Sequence, residues 1–355
     1  MSADPMLPPI TCPSSLVASC APLLGFEPAD CVVALVHGVP ARGGPVLVRM
    51  DLGSGPEAED RAHRLARGIA GTGGVGVDLV AFVAAPDESR AASLPSGELL
   101  LALLHELPGM GIGVGACLST NGRMWWSHLC AEGCCDYGEL LDESVLTMVR
   151  AEYAFAGFAP LASREDVAAR VRPDVAAQAR VAQAQQRSRP ASRTEPWRDR
   201  QVRDLDRLLV PAGRPDAGPG RSGSSALTPA RVARALRGLA DIRVRDTVLL
   251  RLIRADRSDP GEWSRTLELL CQLVREAPAG AVAPPATLLA IVAWMGGEGA
   301  LANIALDRSD ADDPDYRLAA LARQMMVNGL DPASWRRAMA GLTESECRGR
   351  GSGPS

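Results

Sequence analysis

The stretch VGVDLVAFVAA, residues 75–85, is an almost unbroken apolar run in which Asp78 is the one charged residue. A strand with one solvent-exposed face alternates polar and apolar residues, whereas a continuous apolar run is typical of a strand that is buried on both faces. Such a strand needs other elements to cover both sides of its sheet. The run therefore indicates a layered α/β or α+β fold.

Neighbouring segments supply further strands and helices. CVVALVHG and GPVLVRMDLG are rich in β-branched residues, and VPARG between them predicts a hairpin. GIGVGACLSTNGRMWWSHLC predicts a second hairpin, with its turn at Asn121-Gly122. DRAHRLARGIAG predicts a helix because its apolar residues recur at helical spacing, and SGELLLALLHELPG predicts another with Ser96 as N-cap. We expect a mixed sheet covered by helices.

The second half of the chain is helical in pattern. Thr228-Pro229, Asp259-Pro260 and Asp331-Pro332 each place an N-cap residue before a proline at the first helical position. After Pro260 an apolar stripe recurs at helical spacing, formed by Trp263, Leu267, Leu270, Cys271 and Val274. A later stretch reads as helix, glycine turn, helix, acidic turn and helix, like one tetratricopeptide hairpin without a second copy. We predict a small all-α, tetratricopeptide-like domain.

These patterns divide the chain into four parts. We predict an α/β domain over residues 1–185, a flexible linker rich in Arg, Gly, Pro and Ser over 186–226, a helical domain over 227–345, and a disordered tail over 346–355. The segment GTGGVG has the glycine spacing of a dinucleotide site. It follows a helix and precedes a strand, the reverse of the order that such a site needs, so it predicts a loop.

The composition excludes several chemistries. All 38 basic residues are arginine, so a Walker-A loop, a pyridoxal Schiff base and a kinase strand would each lack their lysine. The net charge is −4, and acidic residues are mixed among the arginines of QQRSRPASRTEPWRDRQVRD. We therefore expect no nucleic-acid partner.

The chain shows no membrane or secretion signal. Its start lacks a basic region followed by an apolar one, and no apolar run approaches the roughly 18 residues of a spanning helix. We expect a cytoplasmic protein with no membrane partner. Its nine cysteines are then mostly reduced thiols.

The densest chemical feature is SHLCAEGCCDYG, residues 127–138. His128, Cys130, Cys134 and Cys135 are residue types that bind zinc or iron. Adjacent cysteines point in divergent directions, however, and paired C-x-x-C motifs are absent. Three alternatives stay open: a metal site, a redox or reactive thiol, and structural thiols near a bulge.

Other polar residues favour structural roles. Arg49 and Asp51 share one face of a strand, where an ion pair is favoured over a site at the strand's end. Asp246 reads as the cap of a helix that begins in DIRVRD. Of Trp125 and Trp126, one is expected in the core and the other at the surface. The isolated residues His37, His63 and His105 are expected to be partly buried, non-catalytic side chains.

An ordered set of segments resembles one bacterial family. LLGFEPADCVVALV, VRMDL, WWSHLCAEGCCDYG, SRED, VRD and the helical stretch from APPATLLAIVAW onwards are together similar to the domain of unknown function 4192, over about residues 14–342. The chain departs at Cys31, where a Ser is expected, and at Asp136, where a Pro is expected. The resemblance implies a cytoplasmic protein of high-GC Gram-positive bacteria and brings no established activity.

Two functions follow as hypotheses. No acid–base or nucleophile constellation is recognisable, and a helical unit is present, so we favour a non-enzymatic module that binds a protein partner or ligand through its helical domain. The alternative is an enzyme whose metal or reactive-thiol centre is formed by His128, Cys130, Cys134 and Cys135.

Overall fold

The computed structural model describes residues 8–39, 45–52, 57–130, 132, 136–187, 192–210, 227–255, 259–328, 330, 332–339 and 341–348. The chain forms two compact units. We call the first the α/β unit; it comprises Met1–Arg164 and Met325–Asp331. The second, the helical unit, comprises Glu165–Gln324 and Pro332–Ser355.

The α/β unit contains a six-stranded sheet in the order β2-β1-β3-β4-β5-β6. The strands are β1 Cys31–His37, β2 Val46–Asp51, β3 Gly76–Phe82, β4 Gly113–Thr120, β5 Met124–Ser127 and β6 Glu139–Leu140. β3 and β4 are parallel, and the other neighbours are antiparallel. A parallel pair needs a crossover, which a helix between β3 and β4 provides.

Helices cover both faces of this sheet. They are α1 Pro13–Leu24, α2 Ala58–Gly71, α3 Gly97–Gly109 and α4 Glu143–Phe155. Val77, Leu79 and Ala81 of β3 pack into the core with α2 and α3, while Val80 and Phe82 pack into a second core with α1 and α4. β3 is therefore buried on both faces, which confirms the mixed, helix-covered sheet that its apolar run predicts.

The described part of the helical unit consists of helices. They are α5 Arg164–Ala169, α6 Val175–Arg187, α7 Glu195–Leu209, α8 Pro229–Leu239, α9 Ile242–Arg254, α10 Pro260–Glu276, α11 Ala283–Met295, α12 Gly299–Asp312, α13 Arg317–Val327, α14 Pro332–Met339 and α15 Glu344–Cys347. None of the helices in the described ranges is long and apolar enough to cross a membrane.

Local signals for helices are largely confirmed. Thr228 caps α8 by accepting from the Arg231 amide, and Asp259 caps α10 by accepting from the Gly261 amide. The apolar stripe of α10 is buried along its length. α14 begins at Pro332 as predicted, but its expected cap, Asp331, lies outside the described residues.

The division of the chain differs from the sequence prediction. The α/β unit's first segment ends at Arg164, well before 185, and α6 belongs to the helical unit. α7 lies inside the predicted flexible linker because its apolar residues follow a helical stripe that is buried: Trp197, Val202, Leu205, Leu208 and Leu209. Residues 188–191 and 211–226 of that linker lie outside the described residues.

Two smaller predictions also need correction. α15 extends to Cys347, inside the predicted disordered tail, and residues 349–355 lie outside the described part of the chain. The cap of α9 is Asp241, whose carboxylate accepts from the Arg243 and Val244 amides, and Asp246 lies within the helix. Asp241 was missed because two arginines and two β-branched residues at the helix start obscure its boundary.

Candidate functional site

The parallel strands β3 and β4 end at one edge of the sheet, at Phe82 and Thr120. In α/β folds this carboxyl edge is where loops gather functional groups. The chain brings Ser96, at the start of α3, and His128, just after β5, to β4 at this edge. We call Ser96, Ser119 and His128 the edge chain.

The edge chain is a continuous series of hydrogen bonds. The Ser96 and Ser119 hydroxyl oxygens are 2.7 Å apart, and the Ser119 Oγ is 2.8 Å from His128 Nε2. Both serines are 0 % exposed. Ser96 is the N-cap residue of α3, as predicted, but its side chain makes no capping bond to the helix, because its hydroxyl is bonded to Ser119 instead.

Burial lowers the pKa of His128 below its usual range, because removing the ring from water disfavours the charged form. The imidazole is therefore neutral near pH 7. With Nε2 engaged by Ser119, the ring nitrogen Nδ1 is the one that faces any further partner. A neutral, oriented imidazole can serve as a metal ligand or as a proton acceptor.

The segment from His128 to Gly138, which we call the cysteine loop, begins at this imidazole. The His128 amide donates to the Cys117 carbonyl, 2.8 Å away, and Cys130 is half-buried. Cys134 and Cys135 lie outside the described residues. Within the described ranges, no group of three or more His, Cys, Asp or Glu residues could hold a metal ion. A site that includes all four predicted ligands stays a prediction.

The far end of the cysteine loop is anchored. Arg90 Nε donates to Asp136 Oδ2 at 2.9 Å, and the Arg90 guanidinium lies 4.8 Å from the centre of the Tyr137 ring. Gly138 has φ +74°, and a Cβ there would approach the Trp126 indole nitrogen to 2.6 Å. Only glycine fits this close turn. The described residues at the start and at the end of the cysteine loop are therefore held in place by contacts with the rest of the α/β unit.

The remaining polar groups at the edge satisfy one another. Asn121 Nδ2 donates to the Ala85 carbonyl and to Asp87 Oδ1, each at 2.9 Å, and Arg123 Nη1 donates to Asp87 Oδ2 at 2.8 Å. Gly122 has φ +88°, which confirms the Asn121-Gly122 turn of the β4–β5 hairpin. These contacts hold the hairpin against the loop after β3.

A second candidate site lies in the helical unit. A cleft of about 400 Å³ between α9 and α14 is lined by Ile253, Arg254, Ala333, Arg336 and Arg337. We call it the arginine cleft. Sequence analysis missed it, because Arg254 is distant in the chain from the Arg336-Arg337 pair, and the pair itself was the one local signal.

Comparison with family models decides the chain's membership. The model described as a domain of unknown function (DUF4192) matches residues 13–333. The chain belongs to the DUF4192 family. The match runs from α1 into α14 and so includes most of both units. No curated protein and no solved structure matches the chain. Site assignments in this DUF4192 member therefore depend on its own geometry.

The other residues singled out in this DUF4192 chain have structural partners. Arg49 Nη2 lies 2.6 Å from Asp51 Oδ1, which confirms the predicted ion pair. His37 Nε2 is 2.7 Å from Asp78 Oδ2, and the imidazole of His63 lies 3.1 Å from the carboxylate of Glu106.

The two tryptophans after the turn and the glycine segment also take structural places. Trp126 is 0 % exposed, and its indole N–H donates to the Ser89 carbonyl at 2.8 Å. Trp125 is half-buried against the second core. GTGGVG connects α2 to β3, in the order that predicts a loop.

Proposed function

We propose that the protein is a non-enzymatic binding module that holds a ligand or partner through its helical unit. The arginine cleft carries this proposal. Its polar side chains are guanidinium groups, which stay protonated in proteins and bind anions without exchanging protons. A cleft of this composition is suited to binding and poorly suited to acid–base chemistry.

The α/β unit supports the same proposal. At the sheet edge, the hydroxyl groups of Ser96 and Ser119 are buried and bonded within the edge chain. A serine nucleophile must reach its substrate, and Ser119 has no exposed surface. The edge chain therefore acts best as a support that orients His128.

The proposal is tested with the intact chain. We expect at least one anionic ligand or native partner from cell extract to raise the melting temperature, because binding to the folded state alone stabilises it. The matched variant Arg336→Gln should lose this effect, while Arg234→Gln, exposed on α8, should keep it. The proposal would be contradicted if the chain stayed monomeric, gained no thermal stability from any ligand or any fraction of the cell extract, and turned over a substrate.

A second candidate is an enzyme with a metal or reactive-thiol centre at His128, Cys130, Cys134 and Cys135. One observation favours it: Ser119 engages Nε2 of His128. Metal-ligating histidines usually have their second nitrogen held by a hydrogen-bond partner, which orients the ring. Nδ1 would then be the ligating nitrogen, and zinc or iron the metal.

The metal content of chain purified without a chelating tag tests this candidate. About one zinc or iron per chain, lost in Cys130→Ser while circular dichroism is unchanged, would support it. Cys347→Ser, at another half-buried cysteine, is the control and should keep the metal. The candidate would be excluded if the purified protein held no metal and if alkylation of all the loop thiols changed neither its fold nor any activity.

A further inference from the structure

We propose that the arginine cleft is a binding site for a small phosphorylated molecule. This inference rests on the proposed binding function and names its ligand class. Three guanidinium groups, those of Arg254, Arg336 and Arg337, line one cavity in a chain whose net charge is −4. Concentrated positive charge on an acidic protein needs a physical reason, and a bound anion supplies one.

The two arginines of α14 have no acidic partner among the residues that the structure describes. Within the described residues, neither Arg336 nor Arg337 has a carboxylate within ion-pair distance, and Arg337 donates to the Ser334 hydroxyl at 2.9 Å. Elsewhere in the helical unit, Arg170 binds Glu268 and Glu298, and Arg323 binds Asp307 and Asp310. Among the described residues, the charges of Arg336 and Arg337 are therefore available to an anion, whereas those of Arg170 and Arg323 are paired.

Arg254 belongs to a network of charges around Glu344. Glu344 accepts from Arg251 at 2.8 Å and lies 3.5 Å from Arg348. The hydrogen bond from Arg251 is the main cause that lowers the pKa of Glu344, and the charge of Arg254, which donates to the Leu342 carbonyl, adds to it. The positive charge of the cleft that no described carboxylate pairs is therefore that of Arg336 and Arg337.

The wall that carries Arg336 and Arg337 is held in place. Trp335, next to Arg336 in the chain, is buried and packs edge-on against Trp294 of α11, with ring centres 5.6 Å apart. On the other wall, Ile253 of α9 is buried. Both helices that carry the guanidinium groups are therefore anchored, so anion binding does not have to order their backbone.

The cleft's charge and size select the ligand class. A phosphate monoester carries nearly two negative charges and three acceptor oxygens, which match several guanidinium groups better than a single carboxylate does. A volume of about 400 Å³ exceeds what phosphate alone fills and lies in the range of small-molecule sites. Ala333, an exposed residue of the lining, offers apolar contact for the organic part.

Titration calorimetry on the full chain tests the proposal with three probes: phenyl phosphate, inorganic phosphate and benzoate. At matched ionic strength we expect phenyl phosphate to bind at least about tenfold more tightly than either of the others. The affinity should fall as sodium chloride is added, because salt screens the charges of an exposed cleft. Arg336→Gln should weaken phenyl phosphate binding about tenfold or more.

Controls keep the test decisive. Arg234→Gln removes an exposed arginine outside the cleft and should bind as the wild type does. Arg336→Lys keeps the positive charge. If Arg336→Gln is folded but does not bind phenyl phosphate, Arg336→Lys should retain part of the affinity. Equal binding of benzoate, no binding beyond that of chloride, or unchanged binding in Arg336→Gln would each overturn the phosphate assignment. If a partner still binds in those cases, the proposed binding function stands.

Discussion

The two units bury polar side chains in different ways. In the α/β unit, Ser119 links Ser96 and His128, which belong to different elements. In the helical unit, Thr287 donates to the Ala283 carbonyl one turn earlier in its own helix, and Ser309 lies 3.0 Å from the Thr287 hydroxyl. Loss of the Ser119 hydroxyl would therefore remove the shared partner of two side chains from other elements, whereas loss of the Ser309 hydroxyl would leave Thr287 with the bond inside its own helix.

The difference follows from how each structure satisfies its backbone. A sheet bonds its backbone groups between strands, so a buried hydroxyl must find a side chain or loop elsewhere. A helix leaves carbonyls and terminal amides within reach of its own side chains. Asp312 shows the limit of this rule, since it accepts from the Gly280, Val282 and Ala283 amides and so fastens the start of α11 to the end of α12.

The largest expected effect in the α/β unit is that of Trp126→Ala. Trp126 is fully buried and its N–H is bonded to Ser89, so truncation should reduce the free energy of unfolding by about 3–5 kcal/mol. Urea unfolding followed by circular dichroism measures it. Trp125→Ala, at a half-buried neighbour, should cost clearly less; equal losses would show that burial does not separate the two rings.

The comparison of the two units is tested directly by a pair of serine variants. Ser119→Ala leaves Ser96 and His128 without their shared partner and should cost about 1–3 kcal/mol. Ser309→Ala should cost less than about 1 kcal/mol, because Thr287 keeps its bond to the Ala283 carbonyl. Both serines are 0 % exposed, so burial is matched. The reverse order of losses would break the comparison.

In the helical unit, Asp241→Ala should cost about 1–2 kcal/mol, since it removes the cap of α9 and the contact with Arg198. Asp241→Asn keeps an acceptor for the capping amides and should retain most of the stability. Thermal unfolding of the three proteins measures this. If the Asn variant were as unstable as the Ala variant, the ion pair rather than the cap would be decisive.

The edge chain also predicts a pH dependence. Burial holds the pKa of His128 in the folded chain below its usual value of 6.5. Between the folded and the unfolded pKa, the unfolded chain therefore binds more protons than the folded one. The free energy of unfolding should therefore fall as the pH drops from about 7 through 6.5 and below. His128→Gln should flatten this part of the curve, whereas His63→Gln, at a largely exposed imidazole, should not. Parallel curves for His128→Gln and wild type would contradict it.

The smallest effect is expected at the strand edge. The Asp51 side chain is 78 % exposed although it lies 2.6 Å from Arg49, and exposed ion pairs contribute little. Asp51→Asn should change the free energy of unfolding by less than about 0.5 kcal/mol. Arg49 is also placed over the Phe26 ring, with 5.6 Å to the ring centre, so it keeps a partner in this variant. A loss above 1 kcal/mol would mean that the pair matters more than its exposure indicates.

Local patterns explain which parts of the fold were predictable. The apolar run of β3, the stripe of α10 and the caps at Thr228 and Asp259 each depend on residues within a few positions of one another. α7 was not predicted, because its apolar residues are spaced among many charged ones and the sequence after it is rich in glycine and proline, which is typical of a linker. The domain boundary was misplaced because α6 has few apolar residues to indicate its unit.

The sequence by itself determined the layered α/β fold, the helical second half and the absence of lysine chemistry, because burial periodicity, capping and composition are local properties of the chain. Only the tertiary structure decided that Ser119 meets both Ser96 and His128, and that Arg254 shares a cleft with Arg336. Those contacts join residues from different elements. Their existence depends on how helices and strands pack, and no local pattern encodes that packing.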